Sequence, residues 1–217
     1  TDGSQATTAG SALNIVERRR ELSPRASASP CHAGKEAGKE RAHESGEYRF
    51  ALCVFAAAWA VLAFPWLSGA MTIPYDAKAL FQAQLQFLAN AFHSGQSPYW
   101  NPSTFVGVPQ ISDPQSLLFS PAVLLAYFEK MPSFWQLDAF VLALLGLGGI
   151  AILKLCQDKG WHPAAGVVAA MAFAFGASAA WRIQHIVQIQ SLAFFAVTLW
   201  LLARGLDRSS AFYGALA

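Results

Sequence analysis

An all-α, polytopic membrane protein is the fold class that this sequence predicts, and three observations predict it. Only 13% of the 217 residues are charged, against about 25% in soluble domains. The mean hydropathy is +0.34. Four apolar runs are long enough, or nearly so, to cross about 30 Å of hydrocarbon. They fall at about residues 50–73, 133–155, 163–181 and 186–203.

Residues 1–47 precede the first run. The stretch "VERRRELSPRASASPCHAGKEAGKERAHESGE" mixes charge with Ser, Ala, Gly and Pro and has no sustained apolar period. Such a segment buries too little apolar surface to offset its ordering entropy. It reads as a disordered cytoplasmic tail. It contains no apolar run of the length a signal peptide needs. The chain opens on Thr1 and closes on "AFYGALA", the start of another apolar run, so a longer protein is expected.

The first run, from Phe50 to Ile73, is uncharged, and Pro65 is positioned to kink it. The second carries Asp138 near its start and Lys154 near its end. An acid there is expensive unless paired or wet. The third is rich in Ala and Gly. Gly166 and Ala170, then Gly176 and Ala180, are each four apart, a spacing that lets helices approach closely. The fourth ends at Arg204.

Lys and Arg set the orientation. Eight precede Phe50: Arg18, Arg19, Arg20, Arg25, Lys35, Lys39, Arg41 and Arg49. Lys154 and Lys159 flank the junction of the second and third runs, and Arg204 and Arg208 follow the fourth. The alternate connections hold only Lys78, Lys130 and Arg182. The N-terminus is therefore expected in the cytoplasm and residues 74–132 outside.

That long loop has its own pattern. Leu80, Phe81, Leu85, Leu88 and Phe92 recur at helical spacing, with Gln82, Gln86 and Asn90 elsewhere on the wheel. This predicts a helix over 77–92 at the outer membrane surface, with Leu85 and Phe92 toward lipid and Gln86 toward water. Gly95 and Pro98 end it. Residues 97–116, "SPYWNPSTFVGVPQISDPQS", follow. Four prolines stiffen them. Tyr99, Trp100 and Phe105 offer flat faces, while Asn101, Gln110, Asp113 and Gln115 offer hydrogen bonds. The stretch suits recognition of a polar head group or a sugar. It equally suits a shaped plug with an interfacial aromatic belt. "LLFSPAVLLAYF", residues 117–128, is too short to span and is expected to be interfacial or re-entrant.

Two further features carry chemistry. Asp76 lies just past the first run, placed either as a general base at the lipid edge or as the N-cap of the helix that starts at Ala77. In "WRIQHIVQIQ", Arg182, His185 and Gln188 are three apart and would share a helical face. Arg182 has the geometry for a phosphate, or for snorkelling beside Trp181.

Taken together, Asp76, "PYWNP" at 98–102, "GVP" at 107–109, "SDPQ" at 112–115 and Pro121 resemble the YfhO-type bacterial membrane proteins and, more broadly, the GT-C class of membrane glycosyltransferases. The resemblance covers residues 50–208 in topology and 72–121 in motif. It implies a sugar donor linked to polyprenyl phosphate, action on the outer face of the bacterial plasma membrane and a cell-envelope acceptor. It makes Asp76 the catalytic carboxylate and Asp113 an anchor for sugar or for a divalent metal. Trp100, Asn101, Gln115, Arg182 and His185 complete the expected substrate site. Membrane lipid is the expected surrounding, and no nucleic-acid partner is expected. The alternatives are a transporter or flippase of a lipid-linked sugar, which would use the same groove without bond cleavage, and a catalytically silent scaffold that merely keeps the fold.

Overall fold

The computed structural model describes residues 30–217 apart from Phe105, with side chains from Gly46 onward. The chain is mostly helical, and four of its helices are long and apolar enough to cross a membrane: Gly46–Leu67, Phe134–Asp158, Pro163–Arg182 and Ile186–Asp207.

Helix α1 runs Pro30–Leu67. Residues 30–45 are thus helical in a stretch for which the sequence pattern gave no regular structure. Ala, Glu, Lys and Arg dominate it, and these are strong helix formers without any apolar period. The earlier part of the tail lies outside the described residues. At its other end α1 stops at Leu67 rather than reaching Ile73. Gly69 adopts φ +76, and the Met71 N–H returns to the Pro65 carbonyl at 3.0 Å. The left-handed glycine closes the helix, so residues 68–76 form a connection.

A π-helical turn, Ala77–Phe81, leads into α2, Gln82–Ser94. Gly95 ends α2 at φ +66. The apolar face of this segment does not look into lipid. Phe81, Leu85 and Leu88 are fully buried in one core shared with Leu137, Val141, Ile186 and Ile189, and Phe92 packs half-buried against it. The Gln86 amide donates to the Lys130 carbonyl at 2.9 Å, and that of Gln82 bonds the Pro132 carbonyl. The long connection folds back on itself, so protein covers the face that periodicity alone assigned to lipid.

Residues 100–101 (β1) and 108–109 (β2) pair antiparallel, Trp100 against Pro109 and Asn101 against Val108. A 3₁₀ turn follows at Gln110–Ser112. Of the apolar stretch 117–128 only Val123–Phe128 is helical (α3), and it packs on α2.

Helix α4, Phe134–Asp158, is the hub. Ser133 caps it with a full capping box: its Oγ accepts from the Gln136 N–H, and the Gln136 Oε1 accepts from the Ser133 N–H. The Trp135 indole donates to the Leu67 carbonyl at 2.7 Å, tying the end of α1 to the start of α4. Small residues at the centre of α4 admit rings from two neighbours. A Cβ on Gly149 would lie 2.4 Å from the Phe55 ring of α1, and one on Gly148 would lie 2.2 Å from the Phe173 ring.

Helix α5, Pro163–Phe175, begins with His162 accepting from the Ala164 N–H and with proline in the first turn. Gly166 packs against Leu153 and Cys156 of α4, as the spacing of small residues predicted. Gly176 does something else. Its backbone is extended (ψ 170°), and it breaks the third apolar run into α5 and the short α6, Ala177–Arg182. A Cβ there would sit 2.1 Å from the Ala172 carbonyl oxygen, and Ala180 is exposed rather than packed. After a tight turn, α7 runs Ile186–Asp207 and packs along α4, and α8, Ala211–Leu216, folds against α7.

Candidate functional site

Contacts define two ends of the bundle. Trp135 with Leu67 and Asp76 with His185 put residues 68–133 and the turn 182–186 at one end, and Tyr48 with Trp161 and Lys159 with Asp207 put 158–163 and 207–210 at the other. The candidate site is at the first of these, the loop end.

Asp76 stands where an N-cap would, but its side chain makes no capping bond. The Tyr75 carbonyl receives the Lys78 and Ala79 N–H groups instead. The Asp76 carboxylate is turned to His185, with Oδ2 3.2 Å from Nδ1. The capping role is therefore not the one adopted. Side-chain exposures of 48% for Asp76 and 32% for His185 leave the pair open to solvent on one side. His185 is the residue just before α7, and its carbonyl receives the Gln188 and Ile189 N–H groups. A backbone role thus fixes the imidazole's root.

Arg182, His185 and Gln188 do not share one helical face, because α6 ends at Arg182 and α7 begins at Ile186. The turn nevertheless brings the Arg182 Nη1 to the Gln188 Oε1 at 2.5 Å. The guanidinium remains exposed.

The loop residues divide sharply. Asn101 is buried, and its Oδ1 accepts from the Ser103 N–H at 3.0 Å. The Asp113 Oδ1 accepts from the Gln115 N–H at 2.8 Å. Both are Asx turns across a proline, in "NPS" and "DPQ". The Oδ1 of Asn101 is taken up by that turn, and the residue is buried. Asp113 also lines a recess of about 200 Å³ together with Ser116, Ser120, Val187 and Gln190. The Ser120 hydroxyl donates to the Gln190 Oε1 at 2.5 Å, joining the loop to α7. Ser116, Ser120 and Gln190 were not singled out in the sequence. Only their short polar interruptions of apolar runs mark them. Gln115 is exposed and outside the recess lining.

Trp100 is half exposed, and its ring lies against Gly107, where a Cβ would come within 2.4 Å. Phe105 lies outside the described residues. Among the described residues there is no group of three or more His, Cys, Asp or Glu side chains arranged to hold a metal ion. Asp113 as a metal anchor therefore has no partner ligands among them.

The opposite end holds a cluster that sequence reasoning missed. Asp158 accepts from the Arg204 Nη1 at 2.7 Å and from the Trp200 indole at 2.8 Å. Lys159 pairs with Asp207 at 2.7 Å, and the Tyr48 hydroxyl bonds the Trp161 carbonyl. Arg204 also lies over the Tyr213 ring, 5.3 Å from its centroid.

No family model, no curated protein and no solved structure matches the chain.

Proposed function

We propose that this chain belongs to a bacterial plasma-membrane glycosyltransferase that takes a sugar from a polyprenyl-phosphate carrier and transfers it to a cell-envelope acceptor at the outer face. The observation that carries the reading is the Asp76–His185 pair, 3.2 Å apart and open to solvent at the loop end. In this reading the four apolar helices are spans and residues 68–133 face outward. The distribution of cations supports that orientation: Arg49, Lys154, Lys159, Arg204 and Arg208 belong to the opposite end, against Lys78, Lys130 and Arg182 at the loop end.

His185 engages Oδ2 and holds the carboxylate in one rotamer, leaving Oδ1 for the acceptor. Asp76 takes the proton of the acceptor hydroxyl as that oxygen bonds to the anomeric carbon. The bond from the anomeric carbon to the phosphate oxygen breaks, and its electron pair leaves with the polyprenyl phosphate. Because phosphate leaves readily, the protein's work is chiefly positioning and charge stabilisation. The recess beside α7 offers a carboxylate, two hydroxyls and an amide, which match the hydroxyl groups of a sugar. Arg182 supplies the cation for the carrier phosphate.

The test is turnover by the full-length protein in lipid nanodiscs with polyprenyl-phosphate sugar donors. Asp76→Asn is expected to lower turnover about 10²–10⁴-fold, the usual contribution of a general base, with insertion and helicity unchanged. Wild-type turnover by Asp76→Asn would remove Asp76 from the chemistry. Absence of transfer by the wild-type protein across a panel of such donors and envelope acceptors would overturn the reading itself.

A further inference from the structure

The chain between α1 and the π-helical turn has to deliver Asp76 to His185, and it has few internal means of doing so. Residues 70–74 form no regular structure. Tyr75 sits at φ +56, a left-handed conformation that is unfavourable for a non-glycine residue and persists only where the surroundings enforce it. A contact from outside the segment bears on it directly. Asp138, on the second turn of α4, is 3% exposed, and its Oδ2 accepts from the Ile73 N–H at 3.1 Å. Ile73 is itself buried in the core. Lys78 lies within electrostatic reach of Asp138 and over the Phe134 ring, 5.6 Å from its centroid. Asp138 thus grips the segment three residues before Asp76, while Lys78 follows two residues after.

An acid buried in an apolar helix is costly, and an apolar residue of similar shape would pack there without that cost. We propose that Asp138 is a positioning residue: by holding the Ile73 N–H it fixes the Ile73–Asp76 segment so that the Asp76 carboxylate meets His185. The inference deepens the catalytic reading of Asp76, but its structural half stands on geometry alone.

The test uses the full chain in nanodiscs, with Cys31, Cys53 and Cys156 replaced by alanine. Spin labels at Ala79 and Ala180, both exposed, report the separation of the two loop-end segments by electron double resonance. Labels at Leu147 and Leu199, also exposed, report the α4–α7 bundle. Asp138→Leu is expected to lose the single narrow 79–180 distance and leave the 147–199 distance unchanged. Asp138→Asn keeps an acceptor for the Ile73 N–H and is expected to restore the narrow peak. A narrow 79–180 peak in Asp138→Leu overturns the proposal. So does broadening of both distances, or no folded protein, in Asp138→Leu and Asp138→Asn alike, since the residue would then serve the bundle as a whole. If sugar transfer is found, Asp138→Leu should lower kcat by about 10²-fold, the scale of a 1 Å misplacement, with Asp138→Asn restoring most of it. The distance measurements decide the positioning role even if no transfer is found.

Discussion

The two ends of the bundle use charge in opposite ways. At the far end Asp158 takes both the Arg204 guanidinium and the Trp200 indole, and the Asp158 and Arg204 side chains are only about one-fifth exposed. Both Asp158 carboxylate oxygens are engaged there, although the Arg204 Nε stays buried without a partner in the chain, and the arrangement clamps α4 to α7. At the loop end Asp76 and His185 meet through single atoms, half open to water, on a connection anchored from behind by Asp138. A clamp uses up its acceptor, whereas a reactive site needs a free lone pair. The contrast teaches that an ion pair's role is read from what its atoms have left to offer, not from its existence.

Three substitutions would break or sharpen that contrast. The largest stability effect is expected from Asp158→Ala, which strips a partly buried guanidinium and an indole of their shared acceptor. Lost hydrogen bonds to charged groups are worth about 1.5–3 kcal/mol, and unfolding in detergent followed by circular dichroism should show a loss of that order. A loss indistinguishable from zero would mean that the far end is no clamp. His185→Gln should cost no more than about 1 kcal/mol by the same measurement, as for exposed pairs generally, while lowering transfer far more than it lowers stability. Equal losses at the two ends would erase the distinction. The smallest effect belongs to Lys159→Ala. Both partners of that pair are more than a third exposed, so the variant should match wild type once high salt screens the bridge.

The spans were legible because hydropathy is summed over many residues, and tertiary context does not change that sum. Their ends were less so. Gly69 and Gly176 each cut an apolar run where composition gave no boundary. The apolar face of residues 77–94 was legible as a face, but periodicity names the side that must be covered, not the cover. Whether lipid or protein supplies it depends on how the loop folds back over Leu137 and Ile189. At the site, sequence placed Asp76 and His185 at the same end of the molecule. Nothing in a linear pattern brings together groups 109 positions apart, and the cap signal pointed elsewhere. Asn101 and Asp113 could have been assigned their turns from the sequence, since Asx followed by proline is itself a turn signal. The Asp158 cluster gave no such signal, because an acid and an arginine at helix ends ordinarily belong to solvent.

One loop residue has a cost that the rest of the loop must carry. Gln110 is completely buried beside the β1–β2 pair, and neither its amide nitrogen nor its carbonyl oxygen finds a partner in the chain. Each orphaned group penalises the closed form by about 1–3 kcal/mol. The two-residue ladder it abuts has little with which to offset that. The hairpin is therefore expected to open more readily than its two-residue pairing would otherwise allow, and early exchange of its backbone amides with heavy water checks this. Opening would expose the Trp100 ring and the rim of the Asp113 recess without disturbing the core. A single glutamine thus lowers the cost of opening that hairpin.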